Sequence, residues 1–194
     1  MLRDPRWVAG LMAFDREIAD EVRAAGCPCG GQLHCGNFPR KPRGLPPGFD
    51  ASVLSHRLDF CCDRDGCRQR RMPPSVIWLG RRVYVSVAVL LGAALRNGDT
   101  PERVRRVCEL TGASARTLRR WVLWWREVFT TTATWRVLGP RVTMRAPECD
   151  LPLALLNVSS TEDPVQTLTR VLTWLLPLTS RTGPPLGSRF AMLF

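Results

Sequence analysis

Apolar side chains recur at spacings of three and four between residues 4 and 25. Trp7, Leu11, Phe14, Ile18 and Val22 form one stripe, which predicts a packing helix. Pro5 suits its first turn and Gly26 ends it. The pattern then breaks, and Gly, Pro and Cys dominate as far as Phe49. A segment so poor in core residues needs a cross-link to fold. Residues 52–61 alternate with a period of two and predict a strand. Val53, Ser55, Arg57 and Asp59 fall on one side, and Leu54, His56, Leu58 and Phe60 on the other. Residues 76–79 predict a second short extended segment.

Residues 83–96 predict an apolar helix that Asn97-Gly98 closes. Asp99 or Thr100 caps the next helix, with Pro101 at its first position and Glu102 close behind. It runs to about Thr111 and breaks at Gly112. A long helix follows from Ser114 to about Phe129, and the threonine run 130–134 ends it. Its Trp121, Trp124, Trp125 and Phe129 are expected in the core, packed on the 83–96 helix. Residues 135–150 read as extended. Helices are expected over 151–157 and 164–176, the second with an apolar face of Val165, Leu168, Val171, Leu172, Leu175 and Leu176. The predicted fold is mainly α with a small β zinc ribbon. It divides into an N-terminal helix (1–26), a zinc ribbon (27–80), a helix-turn-helix (81–134), a C-terminal helical extension (135–179) and a flexible tail (180–194).

The chain has 194 residues, 45% hydrophobic and 23% charged, which excludes a disordered or wholly membrane-embedded protein. The longest apolar stretch, residues 83–95, is too short to cross a bilayer, so no membrane partner is expected. Asp4, Asp15, Glu17, Asp20 and Glu21 near the start argue against a secretory leader. Eight cysteines without an export signal suit thiols kept reduced in a cytoplasm, and hence metal binding.

The net charge is +11, but the charge is unevenly placed. Residues 27–145 hold 21 basic against 8 acidic side chains, a net +13, while both ends are slightly acidic. A polyanion would be steered to that middle. Double-stranded DNA is therefore the expected partner.

Cys27-Pro-Cys29-Gly-Gly and Cys62-Asp-Arg-Asp-Gly-Cys67 each sit in a glycine-containing turn. Two such pairs about a strand apart can supply four soft ligands to one tetrahedral Zn²⁺. Cys61 and Cys62 would point to opposite faces of a strand, so only one should reach the metal. Cys62 is chosen as the nearer to the turn with Cys67. Cys35, His34 or Cys61 remain possible replacements for one ligand. One structural zinc per chain is expected, and four thiolates leave no open position for catalysis. Cys108 reads as a small core residue and Cys149 as structural or incidental.

Residues 104–123, VRRVCELTGASARTLRRWVL, fit the twenty-position helix-turn-helix pattern. Cys108 supplies the small residue where two helices cross, and Gly112 the turn. Val107, Leu110, Ala113, Leu118 and Trp121 take the apolar positions. The opposite face offers Ser114, Ala115, Arg116, Arg119 and Arg120 to a major groove. Arg116, Arg119 and Arg120 can fork onto guanine or phosphate, and Ser114 and Thr117 suit a phosphate. A further basic set, Arg40, Lys41, Arg43, Arg64, Arg68, Arg70, Arg71, Arg81 and Arg82, would rim the ribbon as a phosphate or minor-groove clamp.

Together, the two cysteine pairs, Arg68, Arg70 and Arg71, the run Gly80-Arg81-Arg82-Val83-Tyr84 and the helix-turn-helix resemble a known module. It is the zinc-ribbon/helix-turn-helix front end of bacterial insertion-sequence transposases and their small accessory regulators. The resemblance covers residues 27–129. It implies recognition of an element's terminal DNA, with Cys27, Cys29, Cys62 and Cys67 on zinc and Arg116, Arg119 and Arg120 facing DNA. Transposase cutting needs three spaced carboxylates. After Phe129 the chain has only Glu148, Asp150, Glu162 and Asp163, close together. Tyr84 is the only tyrosine, so no tyrosine-recombinase pattern is present. Binding without chemistry is the expectation. The alternatives are a nuclease or recombinase fragment using His34, His56 and Asp59, or an interaction subunit. In the latter, helices over 151–177 would form a homodimer or dock a recombinase or transposase.

Overall fold

A computed structural model describes residues 5–45, 48–79, 84–95 and 100–180. Seven α-helices and two small antiparallel sheets account for the described regular structure. The order is α1 (Pro5–Ala24), β1 (Leu33–Cys35), β2 (Phe38–Pro39), β3 (His56–Arg57), β4 (Phe60–Cys62), β5 (Arg70–Arg71), α2 (Ser86–Ala94), α3 (Pro101–Thr111), α4 (Ala115–Leu123), α5 (Ala133–Arg145), α6 (Leu153–Val158) and α7 (Pro164–Trp174). The charged residues of the sequence between α2 and α3, with the closing Asn97-Gly98, lie outside the described residues, as do Gly80, Arg81, Arg82 and the tail from residue 181.

The apolar stripe of α1 is buried as its periodicity predicts, and it serves two cores. Trp7, Val8, Leu11 and Ile18 join the large helical core, while Ala19 and Val22 pack with Leu33, Phe60 and the cysteines in a small one. The small core is covered by a three-stranded sheet in the order β1-β4-β5. Its register pairs Leu33 with Cys62, His34 with Cys61 and Cys35 with Phe60.

Residues 52–61 do not form the continuous strand that alternation predicts. A 3₁₀ turn over Ala51–Leu54 comes first, capped by the Asp50 side chain, and then β3 and β4 separated by Leu58 and Asp59. Arg57 and Asp59, expected on the polar side, are both buried. Arg57 donates to the carbonyls of Thr179 at 2.8 Å and Pro73 at 3.4 Å, and Arg70 donates to Asp59 at 3.1 Å. These distant partners override the local pattern. Residues 76–79 are extended only in part: they bend, are fully buried, and join Val85 through one isolated bridge at Trp78.

In the helical part α2 is buried on nearly every side and lies at the centre, against α3, α4 and α7. Thr100 caps α3, accepting from the Arg103 N–H, and Pro101 fills its first turn. The helix from Ser114 continues past α4 through a wider π turn, Trp124–Val128, and a 3₁₀ turn, Phe129–Thr131. Residues 135–150, expected to be extended, are instead helical as far as Arg145. Thr132 caps α5 by accepting from the Trp135 N–H, and Thr134, Leu138 and Val142 bury at spacings of four. Pro140 is accommodated inside the helix on its exposed side. The apolar side of α7 and of the turn after it, expected as a dimer or docking face, is buried within the chain's own core at Leu168, Val171, Leu172, Leu175 and Leu176.

Candidate functional site

The chain leaves α1 into a tight turn. The Gly30 N–H donates to the Cys27 carbonyl at 2.8 Å, and the Cys27 N–H to the Gly31 carbonyl at 3.0 Å. Gly30 sits at φ +85°, a conformation a side chain disfavours. The second turn repeats the device, with the Cys67 N–H donating to the Arg64 carbonyl at 3.1 Å. Asp63 ties the two turns together: its N–H reaches the Gln32 carbonyl at 3.0 Å, and its carboxylate accepts from the Gln32 N–H at 2.8 Å. Arg64 also donates to the Cys29 carbonyl.

This scaffold brings the thiols of Cys27, Cys29, Cys62 and Cys67 within 4.8 Å of one another. Cys27 Sγ lies 3.7 Å from Cys67 Sγ, and Cys29 Sγ 3.5 Å from Cys62 Sγ. A disulfide would need about 2.05 Å. Four sulfurs around a tetrahedral ion, each at about 2.3 Å, stand roughly 3.8 Å apart. The quartet could therefore hold one metal ion, and it is the one such cluster among the described residues. A hydrogen bond from the Gly31 backbone, then one from Cys67, brings the Cys29 thiol down to about 6, while burial pushes Cys62 up to about 12. A cation at the centre is what would favour the thiolate form of all four.

The other candidate ligands lie elsewhere. Cys61 faces the opposite side of β4 and directs its thiol toward the Arg68 carbonyl at 3.7 Å. His34 is exposed, 3.4 Å from the Asp63 carboxylate. Cys35 is exposed and Cys149 accepts from the Asn157 side chain at 3.1 Å. His56 is exposed beside the Ser55 hydroxyl at 3.0 Å, and Asp59 is buried under Arg70, so no cluster unites His34, His56 and Asp59.

The basic residues fall into two groups. On α4, Arg116, Arg119 and Arg120 are all exposed, and none forms an ion pair among the described residues. Leu118 and Trp121 bury on the opposite side. Ser114 caps the helix by accepting from the Thr117 N–H at 3.2 Å, and its hydroxyl meets that of Thr117 at 3.1 Å. Gly112, at φ +60°, ends α3 in the left-handed region and turns the chain into α4. Val107 and Ala113 are buried at that junction and Cys108 packs against it, but Leu110 is exposed, against expectation. Its side of α3 faces solvent, where Arg105 pairs with Glu102 at 2.6 Å and Glu109 at 2.7 Å.

The ribbon-side group is more tied down. Arg68 pairs with Asp65 at 2.9 Å and Arg70 with Asp59. Arg71 lies beside Arg70 on β5. Arg40 stacks over the Phe38 and Trp78 rings at 5.2 and 5.7 Å. Lys41 and Arg43 are exposed, and the backbone of Arg43 bridges to Tyr84. Arg81 and Arg82 lie outside the described residues.

Sequence reasoning missed one arrangement: a groove of about 620 Å³ along the flank of α4, between Thr117, Arg120, Trp121, Trp124 and Val128 and the facing Arg43 and Tyr84. Trp124, expected in the core, is only half-buried and lines it. The available signal was the spacing of Thr117, Arg120, Trp124 and Glu127 along one strip of the helix.

No helix among the described residues is long and apolar enough to cross a membrane. No protein-family model, curated protein or solved structure matches the chain.

Proposed function

We propose that this chain is a sequence-specific DNA-binding protein that carries one structural zinc and does no chemistry of its own. In this reading it serves a mobile genetic element as a transposition accessory or regulator, as its resemblance to transposase front ends suggests. The observation that carries the reading is the division of α4. Leu118 and Trp121 fix it to α2, while Arg116, Arg119 and Arg120 stand exposed and form no ion pair among the described residues. A helix so placed after the Gly112 turn is the recognition helix of a helix-turn-helix, with arginines for guanine edges and phosphates. The four-thiol cluster, filled by zinc, would make the 27–71 segment a zinc ribbon holding Arg68, Arg70 and Arg71 beside the duplex. Four thiolates, formed as the thiols give up their protons to the bound cation, would fill a tetrahedral shell and leave no open position for water, so the ion's role is structural.

The test is duplex binding by the purified full chain, titrated over a range of salt. Binding should weaken steeply as salt rises. Arg119→Ala and Arg120→Ala should each lower affinity roughly ten-fold, about 1.4 kcal/mol, whereas Arg170→Ala on α7 should stay within about two-fold. Equal effects at all three positions, or no salt-sensitive complex, would remove the reading. Metal analysis of the same protein should return one zinc per chain.

A further inference from the structure

We propose that the groove beside α4 binds an unpaired nucleotide of DNA, so that the protein prefers DNA with a single-stranded segment over a blunt duplex. The inference rests on the DNA-binding reading above and extends it to a second mode of contact.

The groove has chemistry at both ends. Thr117 and Arg120 lie on α4 itself, Arg120 in its last turn, and Trp124, Glu127 and Val128 follow on its continuation. The strip from 117 to 128 is about 16 Å long at 1.5 Å per residue. Across from it lie Arg43 and Tyr84. The Tyr84 ring meets Trp121 edge to face, with centroids 5.0 Å apart, and Trp121 itself is buried against α2, so that wall is fixed. Trp124 is held in the same way, edge to face on Trp125 at 4.9 Å, and keeps part of its indole exposed.

This combination fits a nucleotide better than either a duplex edge or an apolar peptide. Arg120 and Arg43 are both exposed and outside any ion pair among the described residues, so the cationic end suits phosphate. Glu127 repels phosphate from the other end, where the half-open Trp124 offers a surface to a base. Bases paired within a duplex cannot present their faces to an aromatic ring; unpaired bases can, and aromatic stacking of that kind is tolerant of sequence. The volume of about 620 Å³ lies in the range of small-molecule sites and exceeds what one side chain would fill. Thr117 and Arg120 belong at once to the groove and to the outward side of α4, so a strand leaving the duplex would pass directly into it.

The experiment measures binding of the full, zinc-loaded chain to three labelled DNA probes of one sequence: a blunt duplex, the same duplex with a short single-stranded overhang, and the single strand. The overhang probe should bind about ten-fold tighter than the blunt duplex. Trp124→Ala should abolish that gain and leave blunt-duplex affinity within about two-fold, whereas Trp124→Phe should keep most of it. Arg119→Ala, outside the groove, should weaken both probes alike. Should Trp124→Ala fold poorly, Arg43→Ala on the opposite wall should shrink the ratio of overhang to blunt-duplex affinity, whatever it does to blunt-duplex affinity itself. Equal affinity for blunt and overhang probes, or a gain untouched by both substitutions, overturns the groove proposal while leaving duplex binding intact. Absence of binding to every probe removes both.

Discussion

At Gly31 the sulfur cluster has almost no room to move. A Cβ there would lie 2.5 Å from Cys62 Sγ and 3.0 Å from both the Asp63 carboxylate and the Arg64 Cβ. The sulfur is held by β4, so it cannot step aside without disturbing the sheet. Gly31→Ala should therefore lose metal to a chelator at least ten-fold more readily than the parent, while Gly10→Ala, with nothing within 4 Å, should not. A competition titration with a colorimetric chelator reads the difference. The neighbouring cysteines give a sharper comparison. Cys62→Ser should drop bound metal well below one ion per chain, and Cys61→Ser should retain it, because the two thiols occupy opposite faces of one strand. That one of these two reaches the cluster was legible from the pleat, and nearness to the Cys67 turn favoured Cys62 without excluding Cys61. The cross-pairing that sets Cys27 beside Cys67 and Cys29 beside Cys62 was not legible. It depends on how two separated turns dock through Asp63 and Gln32.

Among the elements, α2 and α4 meet at Gly92, where a Cβ would come within 2.7 Å of the Trp121 ring and 3.3 Å of Leu118. Both partners are buried and neither can swing away. Gly92→Ala should destabilise the protein by about 1–3 kcal/mol through overpacking, measured by thermal or urea unfolding. It should also displace the helix that carries Arg116, Arg119 and Arg120, so the duplex affinity proposed above should fall with it. Helices α1, α3, α4 and α7 were legible because each carries its own evidence: an apolar stripe, or a cap such as Thr100, Ser114 or Asp163 with proline or glycine at the right end. The helix α5 was not, because Trp135, Val137, Pro140 and Val142 resemble an extended run when read locally. Its helical character comes from the Thr132 cap and from burial at every fourth residue against the core. The strand expected over 52–61 failed for a related reason. Arg57 finds its partner 122 residues away at Thr179, and no local pattern announces a contact of that range.

At the scale of the whole molecule, the cysteine-bearing sheet and the helical core are joined by a buried polar seam. Asp15, midway along α1, accepts from the Ser75 hydroxyl at 2.5 Å and the Val76 N–H at 2.7 Å. The Ser75 N–H reaches the Thr179 hydroxyl at 2.9 Å, and the Thr179 carbonyl accepts from Arg57. The N-terminal helix, the strap over 72–79, the C-terminal turn and β3 thus share one network. Burial pushes the Asp15 carboxyl up from 3.8 to about 6, against the opposing pull of Ser75, Val76 and Arg57. Folding therefore tightens the hold on that proton. The resulting stability is present in full below about pH 4 and is lost as pH rises to about 6, above which it changes no further. The rise from 3.8 to about 6 corresponds to about 3 kcal/mol. Arg57, brought down by burial to about 10, stays charged across this window and adds no slope of its own. Exposed carboxylates such as Asp50 and Glu102, held below their ordinary range, push in the opposite direction, so the raw stability curve mixes the two. The difference between the parent and Asp15→Asn isolates the seam. Urea unfolding at steps from pH 4 to pH 7 should show the parent losing up to about 3 kcal/mol relative to the variant between pH 4 and pH 6. Parallel curves would mean that Asp15 is ionised on both sides of unfolding, and that the seam tolerates its charge without penalty.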